Sequence, residues 1–170
     1  IGATQTNDWW YGVDVLGTGS VAAVHCEFAH AGSGSGYAAI RKQGTGALSV
    51  SDSKFHHNGD QALYLYPGSS FLDLGHNSFS NNNIGVRIAV NGSLEDVTST
   101  FLANAYDVVV DGGTLTQPVS WRLGPDYSMY VNSVTVATNG SLLVSPGTVL
   151  KFPSAGYILV NGRMEATGTP

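Results

Sequence analysis

The sequence predicts an all-β chain folded as a parallel β-helix (solenoid) of about seven rungs, and three observations predict it. The stretches SDSKFHHN, HNSFSNNN and TSTFLAN superimpose, each running from small polar residues to Phe and then Asn. A fourth, HCEFAHAG, keeps the Phe without the Asn. The residues concerned are Phe28, Phe55, Phe79 and Phe101, spaced by 27, 24 and 22, with Asn58, Asn82 and Asn104 three positions beyond the last three. A second series, Val21, Leu48, Leu72 and Leu94, keeps the same beat. Finally, 22 Gly and only 11% charged residues, beside 42% apolar ones, suit many short strands joined by tight turns.

Each rung can be read in order. Around the Phe, strand alternation places Cys26, Ser53, Asn77 and Ser99 inward, and Glu27, Lys54, Ser78 and Thr100 outward. Three residues earlier the inward column reads Ala23, Val50, Leu74 and Asp96. Asp96 breaks it, which predicts a bulge that turns Val97 in instead. After a turn comes a second short strand, at Ala62-Leu63-Tyr64, Val86-Arg87-Ile88 and Val108-Val109-Val110. A third follows a Gly turn, at Gly19-Ser20-Val21, Gly46-Ala47-Leu48, Gly92-Ser93-Leu94 and Gly113-Thr114-Leu115. Stacked rungs lie about 4.8 Å apart, so like residues meet like. The Phe residues then fill the interior, and the Asn residues can form an amide ladder or simply tolerate a left-handed turn.

The 170 residues make a single module, 1–170. Within it 1–20 reads as an entry-strand segment, 21–120 as Phe/Asn-type rungs, and 121–170 as rungs with tighter Gly/Pro turns. The period persists there, because Asn139-Gly140-Ser141-Leu142 and Asn161-Gly162-Arg163-Met164 are 22 apart.

Composition excludes several function classes. The net charge of −5 comes with no basic run, which disfavours nucleic acid as a partner. No apolar stretch reaches the roughly 18 residues of a membrane span, so no membrane insertion is expected. Ile1 followed by polar residues reads as a mature or excised start. Cys26, the single cysteine, reads as a small packed residue and not a reactive thiol. The Asn-Gly-Ser triplets at Asn91 and Asn139 fit glycosylation acceptors but fit turns before strands better.

The Phe-Asn coils from Val21 to Val110 resemble the repeat of the pectate-lyase-like superfamily of secreted right-handed parallel β-helix proteins. Trp10-Tyr11-Gly12-Val13 is similar to the entry strand of modules in large bacterial and archaeal extracellular β-helix proteins, and NGSLLVSPGTVLKFPSAGYILVNGRMEATGTP, from Asn139 to Pro170, is similar to a stretch of the same modules. The resemblance implies right-handedness and an extracellular or cell-surface location. It also makes the chain read as one period of a longer array, without a capping helix at either end. The expected function is therefore a structural or adhesive module stacking end to end with further copies into a filament or surface layer. Ile1 to Thr6 and Tyr157 to Val160, which carry no charge, are the expected self-association segments.

The alternatives are a polysaccharide lyase or other carbohydrate-active enzyme, and a non-catalytic carbohydrate-binding module with polysaccharide as partner. Lyases of the superfamily use clustered Asp for Ca²⁺ and an Arg or Lys base. The best acid–base cluster here is Asp52 between His25 and His76 with Lys54 beside it. It holds one carboxylate where Ca²⁺ takes several oxygens, so no cofactor is expected, with Ca²⁺ left open but not indicated, and no enzyme activity is favoured. Glu27 and Lys54 read as a cross-strand ion pair, and Arg87 as a partner for Asp107 or Gln61 on adjacent rungs. No carboxylate pair suits a glycosidase. His56-His57 is a metal motif only if the turn brings the two rings together. Trp9 and Tyr64 are the aromatic candidates for stacking on sugar, whereas Trp10 is expected to pack.

Overall fold

The computed structural model of the chain describes residues 10–32, 36–69 and 71–168. They form an all-β parallel solenoid of about six turns, with every strand pair parallel and no helix among the described residues. Rung 1 comprises β1 (Val13–Leu16), β2 (Val21–Val24) and β3 (Glu27–Ala29). Rung 2 comprises β4 (Ala38–Gln43), β5 (Leu48–Ser51) and β6 (Lys54–His56). Rung 3 comprises β7 (Gln61–Leu65), β8 (Phe71–Gly75) and β9 (Ser78–Ser80), and rung 4 comprises β10 (Ile84–Ile88), β11 (Leu94–Asp96) and β12 (Thr100–Leu102). Rung 5 follows with β13 (Tyr106–Val110), β14 (Gly113–Leu115) and β15 (Pro118–Leu123). Rung 6 has β16 (Ser128–Val131), β17 (Val134–Val136) and β18 (Ser141–Val144), and the last has β19 (Val149–Lys151), β20 (Ile158–Val160) and β21 (Arg163–Ala166). Seven strands, β1-β4-β7-β10-β13-β16-β19, form the longest sheet, and seven strands bound six full turns.

The predicted columns are present. Phe28, Phe55, Phe79 and Phe101 are in register, with ring centroids 4.9, 5.1 and 4.9 Å apart and planes within 17° of parallel. Each such aromatic contact contributes about 0.5–1.5 kcal/mol beyond area burial. The Asn ladder runs at the adjacent bend. Asn58 donates from its backbone N and Nδ2 to Oδ1 of Asn82, at 3.1 and 2.8 Å, and Asn82 repeats the pattern onto Asn104 at 3.0 and 2.9 Å. A second ladder links backbone N to the next side chain through Cys26, Ser53, Asn77 and Ser99. Buried polar groups are thereby satisfied along the axis instead of across it.

Two bends per rung make this possible. His25, Asp52 and His76 occupy the left-handed region (φ 54, 50 and 55) between the second and third strands of their rungs. His30, His57, Asn81 and Ala103 do so after the third (φ 57, 54, 54 and 54). Asn, Asp and His tolerate this region better than other non-glycine residues. Each bend interrupts the in–out alternation, so two consecutive side chains face outward before the next ladder residue turns in. Gly12 is required for another reason. At φ +108, a Cβ there would lie 1.8 Å from the carbonyl oxygen of Ala38.

The structure corrects four expectations. Asp96 is itself inward, 3% exposed, while Val97 is 49% exposed. Oδ1 of Asp96 accepts from the backbone N of Thr98 and Ser99 and from Thr98 Oγ1, so an Asx turn replaces the left-handed bend of earlier rungs. Leu48 pairs with Phe71, and the register then shifts so that Ser49 faces Asp73; Leu72 is the irregular residue and lies off the Val21–Leu48 beat. Gly113-Thr114-Leu115 does not continue the Val21 sheet. β11 instead pairs with β15 (Leu94 with Trp121), and β14 founds a new sheet with β17 and β20. The cross-section therefore changes after Leu102, where the Phe sheet β3-β6-β9-β12 stops, well before the change in composition at Trp121. Tyr127, in the loop between β15 and β16, covers the last Phe with its ring 5.2 Å from that of Phe101. Finally, Trp10 does not lie in an entry strand. It forms an isolated bridge with Ala31, its indole Nε1 donates to Ala29 O at 2.8 Å, and it stays 38% exposed.

Candidate functional site

Three surfaces could carry function. The first is the last rung. Met129, Val134, Val136 and Leu142 are at most 1% exposed and pair with Leu150, Ile158, Val160 and Met164. These four continue the inner columns, yet Val160 and Met164 are 42% and 37% exposed. β19, β20 and β21 end their sheets among the described residues. Their charged residues, Lys151, Arg163 and Glu165, stand beside Tyr130, Ser141 and Leu143 on the outer face. Arg163 and Glu165 pair with each other at 2.8 Å. The inner positions of the rung are thus wholly apolar. Tyr157, ahead of β20, is 53% exposed. Ile1, Thr6 and Trp9 fall outside the described residues.

The second surface is the predicted acid–base corner. His25, Asp52 and His76 stack at the left-handed bends and are exposed. Among the described residues, no hydrogen bond or ion pair joins their side chains to each other or to Lys54. Glu27 does not pair with Lys54. It accepts a hydrogen bond from Nε2 of His56 at 2.7 Å, because His56 stands one rung on and two residues further along the same face. That hydrogen bond and the histidine's charge, with a smaller contribution from Lys54, hold the Glu27 carboxyl below its ordinary value. His56 and His57 do meet, with their Nδ1 atoms 3.0 Å apart, since the bend at His57 defeats strand alternation. No group of three or more His, Cys, Asp or Glu among the described residues could hold a metal.

The third surface is the outer face of the long sheet, where Asp14, Arg41, Tyr64, Arg87, Val109, Tyr130 and Lys151 are in register. Arg87 pairs not with Asp107 or Gln61 but with Asp111, at 2.8 Å, and its guanidinium lies 4.7 Å from the Tyr64 ring centroid. Tyr64 donates to Asp111 Oδ2 at 3.0 Å, packs against Tyr66 and is only 8% exposed. Burial, then the Asp111 charge, push its hydroxyl up to about 12. Burial pulls the Arg87 guanidinium down, but the hydrogen bond and charge of Asp111 outweigh it and leave it raised. Further along, Tyr106 and Tyr130 lie 4.9 Å apart and line a groove of about 290 Å³ with Asn104, Asp107 and Lys151.

Sequence reasoning missed Lys42. It occupies an inward position between Val15 and Leu65, is fully buried, and donates from Nζ to Gly44 O at 3.0 Å. Its two-residue offset from the inward Ile40 was the available signal. Asn91 uses its side chain to accept from Thr116 N and donate to Thr114 O, which makes the first Asn-Gly-Ser triplet a structural turn. Cys26 is half-buried at a bend, with Sγ 3.4 Å from Val24 O.

Compared with known proteins, the chain matches no family model, no curated protein and no solved structure.

Proposed function

We propose that this protein is an extracellular structural module that extends by stacking a second copy onto its last rung. The observation that carries the reading is the apolar, exposed inner side of β19–β21, in register beneath fully buried columns. Another rung placed about 4.8 Å beyond it would bury those side chains and pair with β19, β20 and β21, which end their sheets among the described residues. The location rests on the resemblance of Val21 to Val110, and of the flanking segments, to secreted β-helix proteins. Electron microscopy across a concentration series tests the assembly. Filaments with an axial repeat of about 30–35 Å are expected, for seven strands at 4.8 Å each. Val160→Lys with Met164→Lys should abolish them while leaving the monomer folded, because both residues belong to the open side. Dispersed monomers at every concentration would sink the reading.

The groove at Tyr106 and Tyr130 favours a second reading, a carbohydrate-binding module, since an exposed and a half-buried aromatic ring beside Asp, Asn and Lys side chains suit sugar rings and hydroxyls. A glycan panel tests it. Saturable binding weakened by Tyr106→Ala supports this reading, and no binding to any glycan removes it. The enzyme reading places its site at His25, Asp52, His76 and Lys54. Turnover of an acidic glycan that survives Asp52→Asn would remove that site.

A further inference from the structure

We infer that His56 and His57 form a two-imidazole chelate for a divalent transition metal of tetragonal preference, with Cu²⁺ as its best ion. Three observations converge on this pair. The Nδ1 atoms stand 3.0 Å apart. With metal–nitrogen bonds of about 2.0–2.1 Å, that separation sets a bite angle of roughly 94°. A tetrahedral ion would need the nitrogens about 3.3 Å apart, whereas square-planar and tetragonal ions take close to 90°.

The second observation is Glu27. Its carboxylate accepts from His56 Nε2 at 2.7 Å, which in the neutral ring keeps the proton on Nε2 and leaves the Nδ1 lone pair facing His57. A carboxylate behind a ligating imidazole fixes its tautomer and raises its basicity. In the metal-free protein the short Nδ1–Nδ1 contact then requires His57 to donate from Nδ1. On binding, His57 carries its proton on Nε2 instead, so both neutral rings present lone pairs and no net charge is lost.

The third observation is the backbone. His57 holds a left-handed conformation, φ 54, that most non-glycine residues avoid, and this bend is what turns both rings to one side. The ring of His30, one rung before, stacks on that of His57 with centroids 5.7 Å apart, which limits its rotation. His57 is exposed, so the remaining coordination positions are open to water.

Neighbouring rungs supply substitutions that the fold already accepts. Asn81 occupies the next left-handed position after His57, and Ser80 pairs with His56. The test is titration of the full chain with CuCl₂ in a non-coordinating buffer, followed by calorimetry and electron paramagnetic resonance. One saturable equivalent with two-nitrogen coupling is expected, abolished by His57→Asn and by His56→Ser. Glu27→Gln should weaken it by about tenfold or more, and His25→Asn, at the other bend, should leave it unchanged. Copper binding that persists in both His variants, whether at the amino terminus or at another histidine, overturns the assignment. So does the absence of any saturable equivalent in the unsubstituted chain.

Discussion

Asn82 Nδ2 lies 2.9 Å from Asn104 Oδ1, while Asn82 Oδ1 accepts from both the backbone and the side chain of Asn58. Its Nδ2 also donates to Phe55 O at 3.0 Å. One buried amide therefore joins three rungs, and its own chemistry is saturated.

Replacing Asn82 with Ala should accordingly cost more than an average buried substitution. It leaves the backbone N–H of Asn58 and one Nδ2 hydrogen of Asn58 without their acceptor in the interior, at about 1–3 kcal/mol for each orphaned group. Urea unfolding should show a loss of about 2–4 kcal/mol with an unchanged slope. A loss near zero would mean that water enters the bend.

Gly140 closes the turn that leads into β18, its backbone N donating to Ala137 O at 2.8 Å, and it packs against the preceding rung. A Cβ there would stand 2.3 Å from Leu115 O and 2.9 Å from Leu115 Cδ2. Gly140→Ala should destabilise the protein by about 1–3 kcal/mol through overpacking. Gly17→Ala, where a Cβ meets no atom within 4 Å but φ is +55, separates conformational strain from collision. Equal thermal shifts in the two variants would contradict the steric account.

Lys42 gives the opposite expectation. Gly44 O accepts from Ser69 Oγ at 3.1 Å as well as from Lys42 Nζ, so removing the ammonium does not orphan it. Lys42→Met keeps the length of the side chain and relieves the burial of a polar head. Stability should be unchanged or increased. A drop of more than about 2 kcal/mol would show that Nζ serves further acceptors.

The raised Tyr64 hydroxyl has a pH signature. Its folded value near 12 exceeds the ordinary 10, so between those limits the unfolded chain releases a proton that the folded chain keeps. Its contribution is therefore fully present below pH 10 and falls away as pH rises toward 12. The difference in unfolding free energy between the parent chain and Tyr64→Phe should be flat from pH 7 to 9 and shrink above pH 10. A difference that stays constant to pH 12 would remove the shift.

The Phe and Asn columns were legible because they repeat: each rung states its own inward residues, and stacking only multiplies them. Asp96 was misread because an inward carboxylate violates hydrophobic patterning. Its local hydrogen bonds to Thr98 and Ser99, which make the violation tolerable, depend on turn geometry. Arg87 was assigned to the wrong acid because its partner, Asp111, lies just past the end of β13 instead of at a register position. The His56–Glu27 and His56–His57 contacts were hidden for a related reason. Strand alternation sends neighbours apart, and only the left-handed bend at His57 reverses that.

The sequence by itself determined the rung period, the parallel stacking and the side chains that fill the interior, since a repeat of 22 to 27 residues with like residues in phase leaves each rung no partner but the next. Tertiary structure alone decided the change of cross-section at β14, the burial of Lys42 and the meeting of the two histidines. Those depend on which strand edge β15 takes up and on backbone bends, and neither repeats along the chain.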